Sequence, residues 1–550
     1  MRDTMNTCYL DIETSLDHST IWCAVTKVKN STQVHTTPES LKKVLHDAEQ
    51  VIGHNLIGFD CRVLDSVWDV RIPRHLVVDT LYLSRLYNPS QEGGHSLRNW
   101  GTILGGTGKL DFTDYDGGLT DEMIEYCIAD VELTERVHKW LDMQLFKEGF
   151  SEKCIDLEHR IGWIITEQER NGFKLDTPFA EKLMMDLMFE MNNIEAELQA
   201  IFPPIIEERI SEKTGKRLKD KVTIFNPGSR KQIAERLQGL GVTFTKKTEK
   251  GNIIVDEKVL DSIDLPEAKA VARYMMLQKR VAQIDSWLKA VKDDGRVHGR
   301  VITNGAVTGR MTHLSPNMAQ VPAVSAPFGT ECRSCWTVDE GNKLVGIDAS
   351  GLELRMLAHY MDDEDYTNEI LNGDIHTANQ RAAGLESRPL AKTFIYAFLY
   401  GAGDAKIGAI VGGNSVTGRR LKETFLSNTP SLERVRRDTH GQAASGVLTG
   451  LDGRKLRVRS EHAALNTLLQ GAGAIVMKEA LTLLNAKLLY IPHRFVANVH
   501  DEWQIETPAH YADTVGRMGV RAIRIAGETL NLRCPLDGEY RVGNNWAETH

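Results

Sequence analysis

Over residues 1–80, short apolar runs (TCYLDIE, TIWCAV, EQVIGHN, HLVVDTL) alternate with turn-like and helical stretches. That rhythm predicts an α/β unit. Residues 121–142, DEMIEYCIADVELTERVHKWLD, predict an amphipathic helix. From about 155 to 290 the pattern is long-helical, through FAEKLMMDLMFEMNNIEAELQAIF and EAKAVARYMMLQKRVAQIDSWLKAV. Between these helices lies RISEKTGKRLKDKVTIFNPGSR, where Arg209, Lys213, Lys216, Arg217, Lys219 and Lys221 stand close together. This tract reads as a solvated loop or as a tip that grips a polyanion backbone. After residue 340 come a strand (KLVGIDAS), several helices, and a terminal α/β portion holding FVANVHDEWQIE. The predicted order is a compact unit, a helical arm and a mixed α/β body.

The chain has 550 residues, 41% hydrophobic and 26% charged. That length favours three or four domains with ample cores, and the balance argues against disorder. No run of about 18 apolar residues predicts a membrane span, and the first residues lack a secretory pattern. Eight scattered cysteines predict reduced thiols in a cytoplasm rather than a disulfide framework. The net charge of −9 hides a division. Residues 1–150 hold 14 Lys+Arg against 23 Asp+Glu, whereas 388–460 hold 13 basic against 5 acidic residues. An acidic unit beside a basic tract fits carboxylate-bound metals next to a phosphate-binding surface, or simply uneven solvated faces.

YLDIETS puts Asp11 and Glu13 two apart on a predicted strand, so both leave the same face. Adjacent carboxylates repel unless a cation holds them, and a hard divalent ion suits them. GHNLIGFD adds Asn55 and Asp60, and Tyr126 and Asp130 share one helix face. Four carboxylates could hold two Mg²⁺ ions while the tyrosine orients a water for attack on a phosphodiester. In this order, DIET, HNxxxFD and YxxxD resemble the three motifs of DEDD-type 3′–5′ exonucleases, in the subgroup that uses tyrosine.

KLVGIDASGLELRMLAHYM predicts a buried strand entering a helix, with Asp348 at the strand end. FVANVHDEWQIE predicts a hairpin whose tip, His500-Asp501-Glu502, could bring Asp501 to Asp348. In RPLAKTFIYAFLYG, Arg388, Lys392 and Tyr396 recur every four residues, a stripe suited to a triphosphate and a base or sugar. Alternatively the tyrosines are core aromatics and the cations a solvated edge. These segments resemble motifs A, B and C of family A, DNA polymerase I type, DNA polymerases. TGRMTHLSPNMAQVP, GDIHTANQ and HAALNTLLQGAGA add to the likeness, which is greatest toward replicative polymerases of short-tailed bacteriophages.

That resemblance implies an RNase H-like 3′–5′ exonuclease domain (1–150) followed by a right-hand polymerase domain. The hand would comprise helical thumb and connecting helices (151–295), first palm part (296–360), fingers (361–462) and second palm part (463–550). Asp348, Asp501 and the Ala349 carbonyl would bind two Mg²⁺ ions at the polymerase site. Asp11, Glu13, Asp60, Tyr126 and Asp130 would serve the exonuclease, with two more ions held by Asp11, Glu13 and Asp130. Mn²⁺ would substitute. Arg388, Lys392 and His376 would neutralise the triphosphate, and Tyr400 would stand near the nascent pair. Glu353, packed against Tyr396, would exclude a ribose 2′-hydroxyl. Arg310 and Gln470 would sense the minor groove, and His500 would approach the primer end. A second hydrolytic site beside the first is a form of editing.

The resemblance starts almost at the first motif, which implies no 5′-nuclease domain. The stretch from Ile201 to Phe225 is too short for the thioredoxin-capturing insertion of some phage relatives. Expected partners are primer-template DNA, deoxynucleoside triphosphates, a phage helicase-primase and a single-stranded-DNA-binding protein. The expected setting is the cytoplasm of an infected bacterium, with the enzyme a monomer. A nuclease with an inert platform would need a broken catalytic motif, and a single-subunit RNA polymerase would not explain Glu353. Cys332 and Cys335 form a CxxC without a second ligand pair, which reads as chance. GTILGGTGKL lacks the GK[ST] of a phosphate loop and reads as a turn. His54 and His359 read as packing or surface residues.

Overall fold

The computed structural model describes residues 6–105, 111–213, 215–248 and 250–550. The N-terminal unit is built on a five-stranded sheet in the order Ser31–His35, Ile21–Val28, Thr7–Thr14, Gln50–Gly53, Val77–Asp79. The first three strands are antiparallel and the last two join in parallel. The central strand is buried on both faces, and its period of two sorts its residues. Cys8, Leu10 and Ile12 enter one core cluster, whereas Tyr9 enters another with Cys127 and Val131. Asp11 and Glu13 therefore share the face that meets the helix Asp121–Glu148.

That helix is capped by Thr120, whose side chain accepts the Met123 N–H, and carries Asp121 and Glu122 in its first turn. It runs six residues past the predicted end and stops at Gly149, whose φ of 75° suits a left-handed C-cap. The next helix, Glu152–Asn171, presents Leu157, Ile161, Ile164 and Ile165 to the largest core cluster. Their i, i+4, i+7, i+8 spacing is one apolar stripe, and it ties the N-terminal unit to the body.

Helices Thr177–Ile201 and Pro266–Ala290 pack along one another. The basic tract between them is not a loop. It forms an antiparallel hairpin, Ile205–Ile210 with Arg217–Thr223, with a register shift between Glu207 and Arg209. Part of its charge is neutralised locally, by Lys221–Glu207 at 2.8 Å and Arg217–Glu208 at 3.2 Å. Cross-strand pairing of opposite charges explains why a charge-rich tract forms strands at all.

The body holds a four-stranded antiparallel sheet in the order Arg494–Val499, Glu502–Pro508, Asn342–Ala349, Gly538–Gly543. Between its first and second strands in sequence lie the helices from Leu352 to Ala443 and then Ala464–Lys487. Ala464–Lys487 belongs to the one described helical stretch long and apolar enough to cross a membrane, and 83% of that window is buried in the body. All eight cysteines are buried and free. Cys332 and Cys335 are fully enclosed, and burial pushes the Cys332 thiol up to about 12, so this CxxC is core packing. In GTILGGTGKL the first residues finish the helix Leu97–Leu104, and 106–110 lie outside the described residues.

Candidate active sites

At the N-terminal site, ligand atoms of Asp11, Glu13 and Cys127 lie within 4.8 Å of one another. Asp60 opens the helix Asp60–Trp68 and accepts the Ile12 N–H at 3.2 Å, which locks it against the strand that carries Asp11 and Glu13. Burial, and then the charge of Asp11, raise the Asp60 carboxyl well above the ordinary carboxylate range. Such a cluster is stable ionised only if a cation joins it. Burial also holds the Cys127 thiol protonated, and its Sγ donates to Asp11 Oδ2 at 3.6 Å. The usable donors are thus hard oxygens, which suit Mg²⁺ or Mn²⁺ rather than zinc.

Tyr126 and Asp130 project from the facing helix, both nearly buried. Phe112 stacks 5.6 Å from the Tyr126 ring, and burial raises the Tyr126 hydroxyl above its ordinary value. Asp11, Asp130 and Asn55 line a cavity of about 730 Å³. His54 lines it as well, with Nδ1 2.8 Å from Thr80 Oγ1, so it belongs to the site's wall rather than to remote packing.

Asp79, which the sequence reading missed, shapes this wall. Fully buried, it accepts the backbone N–H groups of Asn55, Ile57 and Leu81, each at 2.9 Å. Its own N–H is donated to His159 Nε2 at 2.9 Å. Asn55 sits at a φ of 65°, a conformation that costs energy in a side-chain-bearing residue and that these bonds hold.

At the body site, Asp348 ends the strand Asn342–Ala349 and Asp501 occupies the hairpin turn beside it. The two are tied through the backbone, because Ala349 N–H is donated to the Asp501 carbonyl at 3.1 Å. Enclosure in the cleft, then the charges of Asp501 and Glu502, push the Asp348 carboxyl up to about 7. The residue surface of Asp348 is itself accessible, so an entering cation meets both carboxylates. His500, at the same turn, takes a φ of 58°.

The helix Arg388–Leu399 carries Arg388 and Lys392 on its exposed side and Tyr396 half-buried. Arg388 Nε lies 2.6 Å from Asp374 Oδ2, and Asp374 caps the helix Ile375–Ala383 by accepting the His376 N–H. Asp374, also unforeseen, thereby orients Arg388 and His376 together. Burial, then the Arg388 and Lys392 charges, lower the His376 imidazole, so it stays neutral until an anion arrives.

The Tyr400 hydroxyl shares its one proton between the two Glu353 carboxylate oxygens, at 3.0 and 2.9 Å, and Arg310 Nη2 lies 3.3 Å from Glu353 Oε1. Burial, then the charge of Glu353, raise the Tyr396 hydroxyl, so Glu353 stands beside Tyr396 while it is hydrogen-bonded by Tyr400, which follows the helix. Gln470 is half-buried on Ala464–Lys487. The terminal residue was likewise missed: His550 Nδ1 is 3.3 Å from Glu502 Oε2, next to the Asp501 turn.

The profile of DNA polymerase family A matches residues 201–548. A DNA-directed DNA polymerase of Enterobacteria phage T3 is 35% identical, over 91% of this chain and 92% of its own length. The homologue of Escherichia phage T7 matches with the same identity and coverage. Among solved structures, the POL domain of Pol1 from M. smegmatis, in complex with DNA primer-template and dNTP, superposes with a TM-score of 0.82. It covers 98% of this chain and 96% of its own at 18% identity, a likeness of fold.

Proposed function

The chain belongs to DNA polymerase family A, and we propose that it extends a primer 3′ end on a DNA template and trims that end at its N-terminal site. The observation that carries the first half is the meeting of Asp348 and Asp501 at a strand end and hairpin turn, with a cationic helix nearby. In this reading the units are an RNase H-like exonuclease (1–150), a thumb (151–295), a palm (296–360 and 463–550) and fingers (361–462).

Asp348, Asp501 and the Ala349 carbonyl would hold Mg²⁺, which would supply Lewis-acid chemistry that eases loss of the primer hydroxyl proton and offsets charge on the triphosphate. The primer 3′-oxygen bonds to the α-phosphorus as the bond from that phosphorus to the β-phosphate's bridging oxygen breaks; the hydroxyl proton passes to water and pyrophosphate leaves. Arg388 and Lys392 bind the β- and γ-phosphates, and His376 joins them as their negative charge makes protonation favourable. Tyr396 and Tyr400 flank the nascent pair. Glu353, fixed by Tyr400 and Arg310, closes the space a ribose 2′-hydroxyl would need. Arg310 and Gln470 follow the minor groove, and His500 sits at the primer end. At the other site Asp11, Glu13 and Asp130 would hold a divalent metal that activates water, Asp60 supports them, and Tyr126 would orient that water. Phage genome replication in a bacterial cytoplasm is the setting this reading gives.

The test follows a 5′-labelled primer on a longer template with Mg²⁺, with and without deoxynucleotides. Asp501→Ala should abolish extension and keep stepwise shortening, and Asp11→Ala should do the reverse. Extension that survives Asp501→Ala, or shortening that survives Asp11→Ala, would refute the corresponding assignment.

A further inference from the structure

The helix Ala512–Thr529 packs behind the four-stranded sheet of the body, on the face away from the carboxylates. A Cβ at Gly519 would strike the Ile347 side chain, so Ile347 faces the helix and Asp348, next on the same strand, faces the other way. Glu539 stands opposite Asp348 in register, and its charge is among those that raise the Asp348 carboxyl. Small residues seat the helix against the chain that enters the strand Gly538–Gly543. A Cβ at Gly516 would strike the Tyr540 ring, and one at Gly527 would crowd the Leu536 side chain. Helix and strand therefore run antiparallel, side by side.

Along their junction lies a groove of about 1040 Å³, walled by Arg517, Met518, Arg521 and Arg524 on the helix and by Gly538 and Tyr540 on the strand. Gly538–Gly543 is the last strand of its sheet and pairs only with Asn342–Ala349, so its outer edge has no strand partner among the described residues. An open edge is a template for another chain. The three arginines that flank it are exposed and largely uncommitted. Arg521 has no ion pair or hydrogen bond among the described residues, and Arg517 reaches only Thr514 Oγ1, at 3.4 Å. Arg524 is held by Asp537 at 2.9 Å, an exposed pair that contributes little and is easily rearranged. Of the nearby acids, Asp513 accepts the Tyr540 hydroxyl at 3.3 Å and Glu528 closes one end of the groove.

We propose that this groove docks an extended segment of a partner protein in which acidic residues alternate with apolar ones. The segment adds as a strand to the free edge of Gly538–Gly543 and sets its carboxylates against Arg517, Arg521 and Arg524. The two periods agree: the four-residue step from Arg517 to Arg521 advances about 6 Å along the helix, and every second residue of a strand advances about 6.6 Å. The strand edge supplies main-chain hydrogen bonds for affinity, and the arginine row supplies selection among side chains. Arginine suits that selection because its planar fork takes both carboxylate oxygens. A nucleic acid has no use for the strand edge, and Asp537 and Glu528 oppose a uniform polyanion. A second copy paired edge to edge about a two-fold axis would set one arginine row against another. Because the groove lies behind the sheet that carries Asp348, such a partner leaves the catalytic cleft open.

The probe is a fluorescein-labelled peptide of alternating glutamate and valine, titrated by anisotropy against the whole chain and against Arg517→Glu/Arg521→Glu. Both side chains are exposed, so the variant should fold, and thermal melting checks that. The expected result is saturable binding to the wild type, weakened about tenfold or more in the variant. Hydrogen exchange followed by mass spectrometry should show the peptide protecting the amides of residues 538–543. A peptide of the same composition with its glutamates and valines in two blocks should bind more weakly, since its carboxylates no longer keep step with the arginines. No saturable binding at millimolar peptide, equal binding by the variant, or binding without protection of 538–543 would overturn the proposal. Displacement of the peptide by an equal length of oligodeoxythymidine would assign the groove to nucleic acid instead. A doubled mass in solution that Arg517→Glu/Arg521→Glu abolishes would assign it to a second copy.

Discussion

Glu158→Gln probes the junction on which both sites depend. Glu158, Arg454 and Lys478 are each at most 2% exposed, and Glu158 Oε1 lies 2.6 Å from both Arg454 Nη1 and Lys478 Nζ. Asp452, 2.7 Å from Arg454 Nη2, brings the cluster to two positive and two negative charges. Three segments meet there: Glu152–Asn171, the turn at 450–454, and Ala464–Lys487. Burial already lowers the Lys478 ammonium to about 8, with Glu158 opposing the drop. Removing that carboxylate leaves two buried cations to one anion, a defect that costs about 3–5 kcal/mol. At roughly 1–2 °C per kcal/mol for a unit this large, the melting temperature should fall by about 3–10 °C. The pH dependence follows from the sign of the shift. The unfolded chain binds the Lys478 proton up to its ordinary 10.5 and the folded chain only to about 8, so this residue's contribution to stability rises with pH across that window. In Glu158→Gln the lower edge moves below 8, and the deficit relative to wild type should grow as pH falls from 8 to 7. Thermal melts of the two proteins at pH 7, 8 and 9 measure both effects. A shift under about 1 °C with no pH trend would mean the cluster does not bear on stability.

Glu353→Ala removes the acceptor of the Tyr400 hydroxyl and the partner of Arg310. Ribonucleotide incorporation relative to deoxynucleotide should rise about tenfold, equivalent to ~1.4 kcal/mol, in single-nucleotide extension; unchanged selectivity would reject the gate. Asp79→Ala orphans three backbone donors, at about 1–3 kcal/mol for each donor left buried. It should cut 3′ shortening at least tenfold while extension persists, and equal loss of both activities would argue for global unfolding instead. A thiol reagent should label fewer than one cysteine per native chain and all eight after denaturation, because every thiol is buried; rapid native labelling of Cys332 or Cys335 would contradict the enclosed CxxC.

What could be read ahead of the structure was local geometry. Asp11 and Glu13 follow from a strand period of two, Tyr126 and Asp130 from a helical step of four, and the Asp348–Asp501 meeting from a hairpin beside a strand end. Each needs only neighbours in sequence or one pairing rule. Asp79, Asp374 and His550 were missed because their roles lie in partners brought close by folding: Asn55, Arg388 and Glu502. The Tyr400–Glu353 hydrogen bond was not foreseen, because a helical stripe gives the direction of a side chain but not the partner it reaches on another element. The basic tract at 209–221 was taken for a loop or tip because its register shift breaks strict alternation.

The segment from Arg300 to Arg310 gives the two-site arrangement its physical logic. Arg300, Ile302, Asn304 and Gly305 line the N-terminal cavity, while Arg310 pairs with Glu353 at the body site. Asn304 is buried and donates to the Arg85 carbonyl at 3.0 Å, which fastens the segment to the N-terminal unit. At its far end Gly309 adopts a φ of 74°, and a Cβ there would stand 3.1 Å from Arg454 Nη1. The turn that presents Arg310 is thus packed on the buried charge cluster containing Glu158. Displacement of that cluster should be felt at Arg310 first and at Arg300 through the same stretch of backbone. A stability defect at Glu158 should therefore appear in both activities, whereas Asp79→Ala and Glu353→Ala should each affect one. That contrast separates damage to the shared scaffold from damage to either site.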